Sequence, residues 1–395
     1  MKNYQNNDYL LVNNNKLILK IENNSKLAQS FLKKLYIFLK KKRLNIDQII
    51  GSEVFENSFF KQGSLLSVLK VDSYKKLIKN KVSKIDINEL TPNEKLLLSS
   101  RSRIILAIKS FFQDKTSVFL LFVKILIFKI FSPKNIKNKK IDNDSLLFVT
   151  YIPQSNFFLK NFFFKSYHWN NIPNILGKDT KQNYLHLYPF NKEYLNLLIK
   201  KKFYPSGKKE NSNHFFFLNF ISYKSICIIF IKSIFTYKKN KINHHLDFYF
   251  YKIFSSSSHF DSMFWKKIFF NFFNLNNSFK KSFYLFENQP WEKYFYYYYK
   301  FYVNNKIYAY NYSVCRKMDY RVYTSIFFSK KKNYKKYFPS EILINDSISL
   351  KNIKSFDKSF KLVEIESPEN KLNINFTNNK KAIILGDINI TSSKK

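Results

Sequence analysis

From Ser145 onward the chain alternates short, continuously apolar runs with longer runs of helical spacing, and that alternation restricts it to the α/β class. The run Ser145–Tyr151 reads as a buried strand ended by Pro153, and Asn183–Tyr188 reads as a second. Ser282–Phe286, Lys306–Tyr310 and Lys361–Ile365 read the same way. Between them, helical spacing is expected over 167–176, 190–202, 221–235, 264–273 and 291–303. Strands buried on both faces and separated by helices make a parallel, Rossmann-like sheet.

The region before Ser145 has a different texture. A strand–turn–strand is expected around Asn13–Asn15, and a helix over 25–41. Thr91-Pro92-Asn93-Glu94 has the form of an N-cap with Pro at the first helical position, opening a helix to about Ile108. A further helix is expected over Ser117–Phe131, ended by Ser132-Pro133. These patterns divide the chain into a mixed α+β region (1–132), a Lys/Asn-rich linker (133–144), a Rossmann-like domain (145–375) and a stub (376–395). The stub holds the strand Lys381–Leu385 turning at Gly386-Asp387, which cannot form a domain by itself, so a second Rossmann-like domain is expected to be missing.

Charge is the next constraint. The chain of 395 residues carries a formal net charge of +41, which suits a polyanion or an anionic membrane surface. A coding sequence rich in A and T explains the same excess of Lys, Asn, Ile, Phe and Tyr, together with only 5 Gly and 9 Pro. The basic residues are scattered rather than gathered on one arm, so nucleic acid is not expected as a partner. Peripheral contact with anionic lipid stays open. The apolar stretches 117–131 and 215–235 are each interrupted by two lysines, which argues against a membrane span. The N-terminus has no apolar signal region, and Cys227 and Cys315 form neither a disulfide framework nor a metal pattern. A cytoplasmic protein, peripheral at most at the inner membrane, is the expectation. The pair His244-His245 has no second pair at ligand spacing, and no metal or other cofactor is expected. Ser255–Ser258 reads as a loop.

Two chemically distinctive clusters follow the strands ending near Phe286 and Tyr310. The first is Glu287-Asn288-Gln289-Pro290-Trp291-Glu292; the second runs from Ser313 through Arg316 and Asp319 to Arg321. Open α/β sheets place their ligands at the C-terminal ends of strands. Glu287 suits a general base, or alternatively a helix cap. Glu292 suits a partner for Arg316 or Arg321, and those two guanidinium groups suit an anion or an ion pair with Asp319. Trp291 suits core packing, or stacking on a sugar. His168 and His186 read as satisfied core or edge histidines.

Together the clusters resemble a motif of bacterial surface-carbohydrate biosynthesis proteins, glycosyltransferases encoded among lipopolysaccharide and O-antigen genes. Glu287, Asn288, Gln289, Trp291 and Glu292 match its Glu-Asn-Gln-x-Trp-Glu part; Ser313, Arg316, Asp319 and Arg321 match its second part. Tyr167-His168-Trp169, Pro173 and Tyr184–Leu187 are similar to upstream elements of the family, and Ser58–Phe60, Tyr74 and Asn93–Lys95 to its N-terminal region. Two departures stand out. Tyr312 replaces the family's His, and Asn304-Asn305 replaces a Gly-rich turn, where Asn also tolerates positive φ. The resemblance implies a GT-B arrangement in which 145–375 is the acceptor side and a second Rossmann-like domain carries most of the donor site. It implies a nucleotide-activated sugar as donor and a glycan or lipid-linked acceptor, with Glu287 catalytic and the other eight matched residues binding substrate. Donor transfer by this chain alone is in doubt on that reading. The alternatives are a non-enzymatic basic protein binding RNA, the ribosome or an anionic membrane, and an inactive scaffold in glycan assembly.

Overall fold

The computed structural model describes residues 100–137, 141, 144–151, 169, 181–200, 212–235, 256–287, 289–311, 337–339, 341–356 and 361–365, with isolated positions before Ser100. The strand–turn–strand near Asn13–Asn15, the helix over 25–41, the pair His244-His245 and the strand at 381–385 lie outside the described residues, as does the helix over 167–176 except for Trp169.

The expected parallel sheet is present. Its strands are β1 (Ser145–Tyr151), β2 (Gln182–Leu187), β3 (Ser212–Phe216), β4 (Phe279–Leu285), β5 (Lys306–Asn311), β6 (Glu341–Ile344) and β7 (Lys361–Glu364). All pairings are parallel, in the order β3-β2-β1-β4-β5-β6-β7. The central strands are buried almost throughout, which is why they appear in the sequence as unbroken apolar runs. Six helices are described: α1 (Ser100–Phe131), α2 (Lys192–Ile199), α3 (Tyr223–Phe235), α4 (Ser256–Leu275), α5 (Pro290–Tyr302) and α6 (Ser347–Phe356).

Four differences from the sequence expectation have identifiable causes. The two helices expected over 92–108 and 117–131 are joined in one helix described from Ser100 to Phe131, where neither Gly nor Pro interrupts the turn-to-turn hydrogen bonding. The helix expected over 221–235 is present as α3, but the Phe-rich residues before it form the end of β3 and a 3₁₀ turn at Phe217–Phe220, neither of which was expected. The helix begins after Ser222, whose Oγ accepts from the N–H of Ser225 (3.1 Å) and caps α3. The serine run expected as a loop opens α4. There Asp114 of α1 accepts from the N–H groups of Ser256 (2.7 Å) and Ser257 (3.0 Å), a cap supplied from 142 residues away and worth about 1 kcal/mol. Strand β6 and helix α6 were not among the expected elements. Asp346 caps α6 by accepting from the N–H of Ser349 (2.6 Å).

One face of the sheet packs against the helices around a core dominated by aromatic rings. Phe264, Ile268, Phe269, Phe272 and Phe273 of α4 are buried there with Tyr294, Phe295 and Tyr299 of α5. Each such side chain contributes roughly 1.5–3 kcal/mol on burial. Lys115 of α1 reaches Ser256 Oγ (2.6 Å) and the carbonyl of Ile234, tying α1 to α3 and α4. Residues of the stretch read as a linker run beside β3. Ile136 and His214 exchange both backbone hydrogen bonds (2.9 and 2.8 Å), which covers that sheet edge. The opposite face presents Phe148, Tyr184, Phe283, Leu285 and Tyr310, with Trp169 seated on them. Asn304, just past α5, has φ 54°, so the Asn304-Asn305 turn does use the left-handed conformation that asparagine tolerates. Among the described residues no helix is long and apolar enough to cross a membrane.

His186 is fully buried at the β2–β3 pairing. Its Nε2 lies 2.9 Å from His214 Nδ1, and His214 Nε2 lies 3.0 Å from Ser212 Oγ. Burial first, and then the neighbouring His214, hold the His186 pKa well below its ordinary 6.5. The unfolded chain therefore binds more protons than the folded one as pH falls through 6.5. Stability is fully present above that pH and declines below it, by about 1.4 kcal/mol per pH unit for one proton. Urea titrations at pH 7.5 and 5.5 should show this loss, and His186→Asn should abolish most of the pH difference.

Candidate site at the sheet switch point

The strand order places a switch point between β1 and β4. From β1 the chain builds outward through β2 and β3, then returns to lay β4 against the other side of β1. In open α/β sheets such a point opens a crevice at the C-terminal edge. The ladders show the opening directly. The β1–β4 pairing ends at Phe148–Phe283. The β1–β2 pairing continues to Tyr151–Leu187, and the β4–β5 pairing to Leu285–Tyr310. The two central strands thus part company over their last residues.

Two of the chain's three tryptophans flank this split. On one face, Trp169 donates its indole N–H to the carbonyl of Val149 (2.9 Å), just past the last β1–β4 pair, and packs on Phe148, Phe283 and Tyr310. On the helical face, Trp291 donates its indole N–H to the Tyr151 hydroxyl (2.9 Å) and meets that ring edge-on. Trp291 is 4% exposed and also touches Tyr284, Phe269 and Phe295. It is a wall bracing the end of β1 against the start of α5.

The first cluster forms the turn from β4 into α5. Phe286 continues β4, its N–H bonded to the carbonyl of Tyr310 (2.8 Å). Glu287 follows, half-buried at the mouth of the split. Glu292 is 1% exposed, and its Oε1 accepts from the N–H groups of Glu287 (2.9 Å) and Gln289 (2.7 Å). With Pro290 opening the helix and Glu292 at its third position, this is the carboxylate half of a capping box. The capping role therefore belongs to Glu292, whereas Glu287 is a residue whose backbone is held.

Burial sets the electrostatics. Desolvation, and to a smaller degree Glu287, raises the Glu292 pKa, against the neighbouring Lys293 and the two backbone donors. Lys293 is equally buried, and desolvation lowers its pKa against the pull of Glu292. Its ammonium lies 4.7 Å from the Phe338 ring centre and 5.8 Å from that of Phe286. Tyr284 behind them is pushed well above its ordinary pKa by burial and by Glu292.

Asn288, Tyr312, Ser313, Arg316, Asp319 and Arg321 lie outside the described residues. Of the expected site, the structure brings together Glu287, Gln289, Trp291 and Glu292, and adds Tyr151 and the buried Asn311 at the ends of β1 and β5. Tyr151 had a signal in the sequence, since it closes an apolar run just before Pro153. No family model, no curated protein and no solved structure matches this chain.

Proposed function

We propose that the split between β1 and β4 is the acceptor side of a glycosyltransferase acting in surface-carbohydrate assembly. The observation that carries this reading is the position of Glu287, a half-buried carboxylate on a turn held by two hydrogen bonds at the mouth of the opening. Fixing the backbone on both sides of Glu287 restricts its side chain to a few positions, as a general base requires. In the proposed step Glu287 takes the proton of an acceptor hydroxyl. The hydroxyl oxygen bonds to the anomeric carbon of the donor sugar, and the bond to the nucleoside diphosphate breaks with that group leaving as the anion. Arg316 and Arg321 hold anionic groups of the substrates in this reading, and Trp291 walls the acceptor pocket. The N-terminus of α5 lies beside Glu287 and favours negative charge there. The GT-B form of the fold, with a second Rossmann-like domain for the donor, belongs to the same proposal.

The test is ligand-observed NMR of the full chain with a panel of nucleotide-activated sugars and of short glycan acceptors. Nucleotide release is then measured on the pairs that bind. Saturable acceptor binding that weakens on Trp291→Ala is expected. Absence of binding by every acceptor at millimolar concentration sinks the reading.

A further inference from the structure

Tyr151 closes β1 three residues past Phe148, the last residue of that strand paired with β4, and on the other side its backbone is held by the pairing with Leu187. The six residues before it are buried, and Tyr151 is the first of the strand to reach solvent. Its ring packs against the buried clusters of both sheet faces. An indole N–H can only donate, so in the 2.9 Å contact with Trp291 the Tyr151 oxygen is the acceptor. One lone pair is thereby committed to Trp291, which fixes the direction of the hydroxyl and polarises its O–H as a donor. A hydrogen bond exchanged for another costs little, so this donor can serve a ligand whatever group it meets before the ligand arrives.

Glu287 stands across the split at nearly the same level. Carried three residues beyond Phe148–Phe283, the β1–β4 register would set Tyr151 opposite Phe286, one residue before Glu287. Both residues are also tied to the start of α5, the Tyr151 hydroxyl to the Trp291 side chain and the Glu287 N–H to the carboxylate of Glu292. A carboxylate that accepts and a phenol that donates thus border one opening, on strands ordinarily about 4.8 Å apart. A sugar carries hydroxyl groups on neighbouring ring carbons, a spacing that lets one molecule engage both. We propose that Tyr151 is a positioning residue that donates a hydrogen bond to the acceptor oxygen next to the hydroxyl taken by Glu287, so that the site selects a vicinal diol. This inference rests on the acceptor reading of the split and adds the substrate class to it.

Ligand-observed NMR titration of the full chain with methyl glycosides of the common hexoses, and then with the monodeoxy analogues of those that bind, tests it. On the wild type, removing either of two adjacent hydroxyls should weaken binding about 3–10-fold, the worth of one hydrogen bond, and removing any other less than about twofold. Tyr151→Phe keeps the ring beside Trp291 and removes one oxygen. It should lose sensitivity to one of the two hydroxyls and keep it to the other, whereas a merely structural role leaves both sensitivities intact. Each ratio compares two ligands on the same protein, so a loss of stability from the Trp291 N–H cancels. If the variant does not fold, the wild-type series decides alone. Sensitivity at non-adjacent hydroxyls, or at one alone, overturns the inference and spares the acceptor reading. A Tyr151→Phe series parallel to that of the wild type does the same. Binding of no glycoside overturns both.

Discussion

Glu287→Gln is expected to lower acceptor turnover by about 10²–10⁴-fold, the usual contribution of a positioned general base. The loss should fall on kcat rather than KM, because a base acts as the proton moves and not when the acceptor docks. Stability should move the other way. Glu287 is one of the influences that raise the pKa of the buried Glu292, so neutralising it removes an unfavourable interaction. The turn is held by Glu292, through the backbone N–H of Glu287. An activity loss joined to an unchanged or slightly raised melting temperature is what a residue kept for function produces. If turnover is unaffected, or falls only in proportion to folded protein, Glu287 is not the base. Glu292→Ala provides the contrast, since it should lose stability and activity together.

The residues that were legible in the sequence were those whose environment follows from local pattern. Strands β1, β2, β4 and β5 lie inside a parallel sheet, so both faces demand apolar side chains and the runs stand out. Strand β3 meets the same demand, yet it was absorbed into the phenylalanine-rich run that continues into α3. With 45 phenylalanines in the chain, an apolar run no longer separates strand from helix. What separates them is the 3₁₀ turn at Phe217–Phe220 and the capping serine Ser222 that opens α3. Similarly, the start of α4 depends on Asp114, a residue no local window contains. The candidate site shows the same division. Glu287 was placed by its position after a strand, and Trp291 was expected either in the core or against a sugar. Which of the two glutamates caps α5, and that β1 and β4 separate there, are consequences of tertiary packing.

Lys293→Met is expected to cost about 3–5 kcal/mol at neutral pH, although Met fits the apolar surroundings better than Lys does. The reason is the neighbour it leaves behind. Glu292 is almost completely buried, and the Lys293 ammonium is the largest influence holding its pKa down against desolvation. Removing one member of a buried pair strands the other, either as an uncompensated charge or as a carboxyl holding a proton that the unfolded chain has released. Replacing both relieves it, so Glu292→Gln combined with Lys293→Met should fall within about 1.5 kcal/mol of the wild type, because Gln keeps an oxygen for the N–H groups of Glu287 and Gln289. The pH dependence separates this account from a packing defect. In Lys293→Met the folded pKa of Glu292 moves further above its ordinary 4.5, so between those values the folded chain holds a proton that the unfolded chain has released. Stability from that proton is fully present below 4.5 and is lost as pH rises through the folded pKa. The deficit of the single variant should therefore shrink on going from pH 8 to pH 5 in urea titrations, while that of the double variant stays constant. A single-variant deficit equal at both pH values would show that the lysine stem, rather than its charge, supports the turn that carries Glu287.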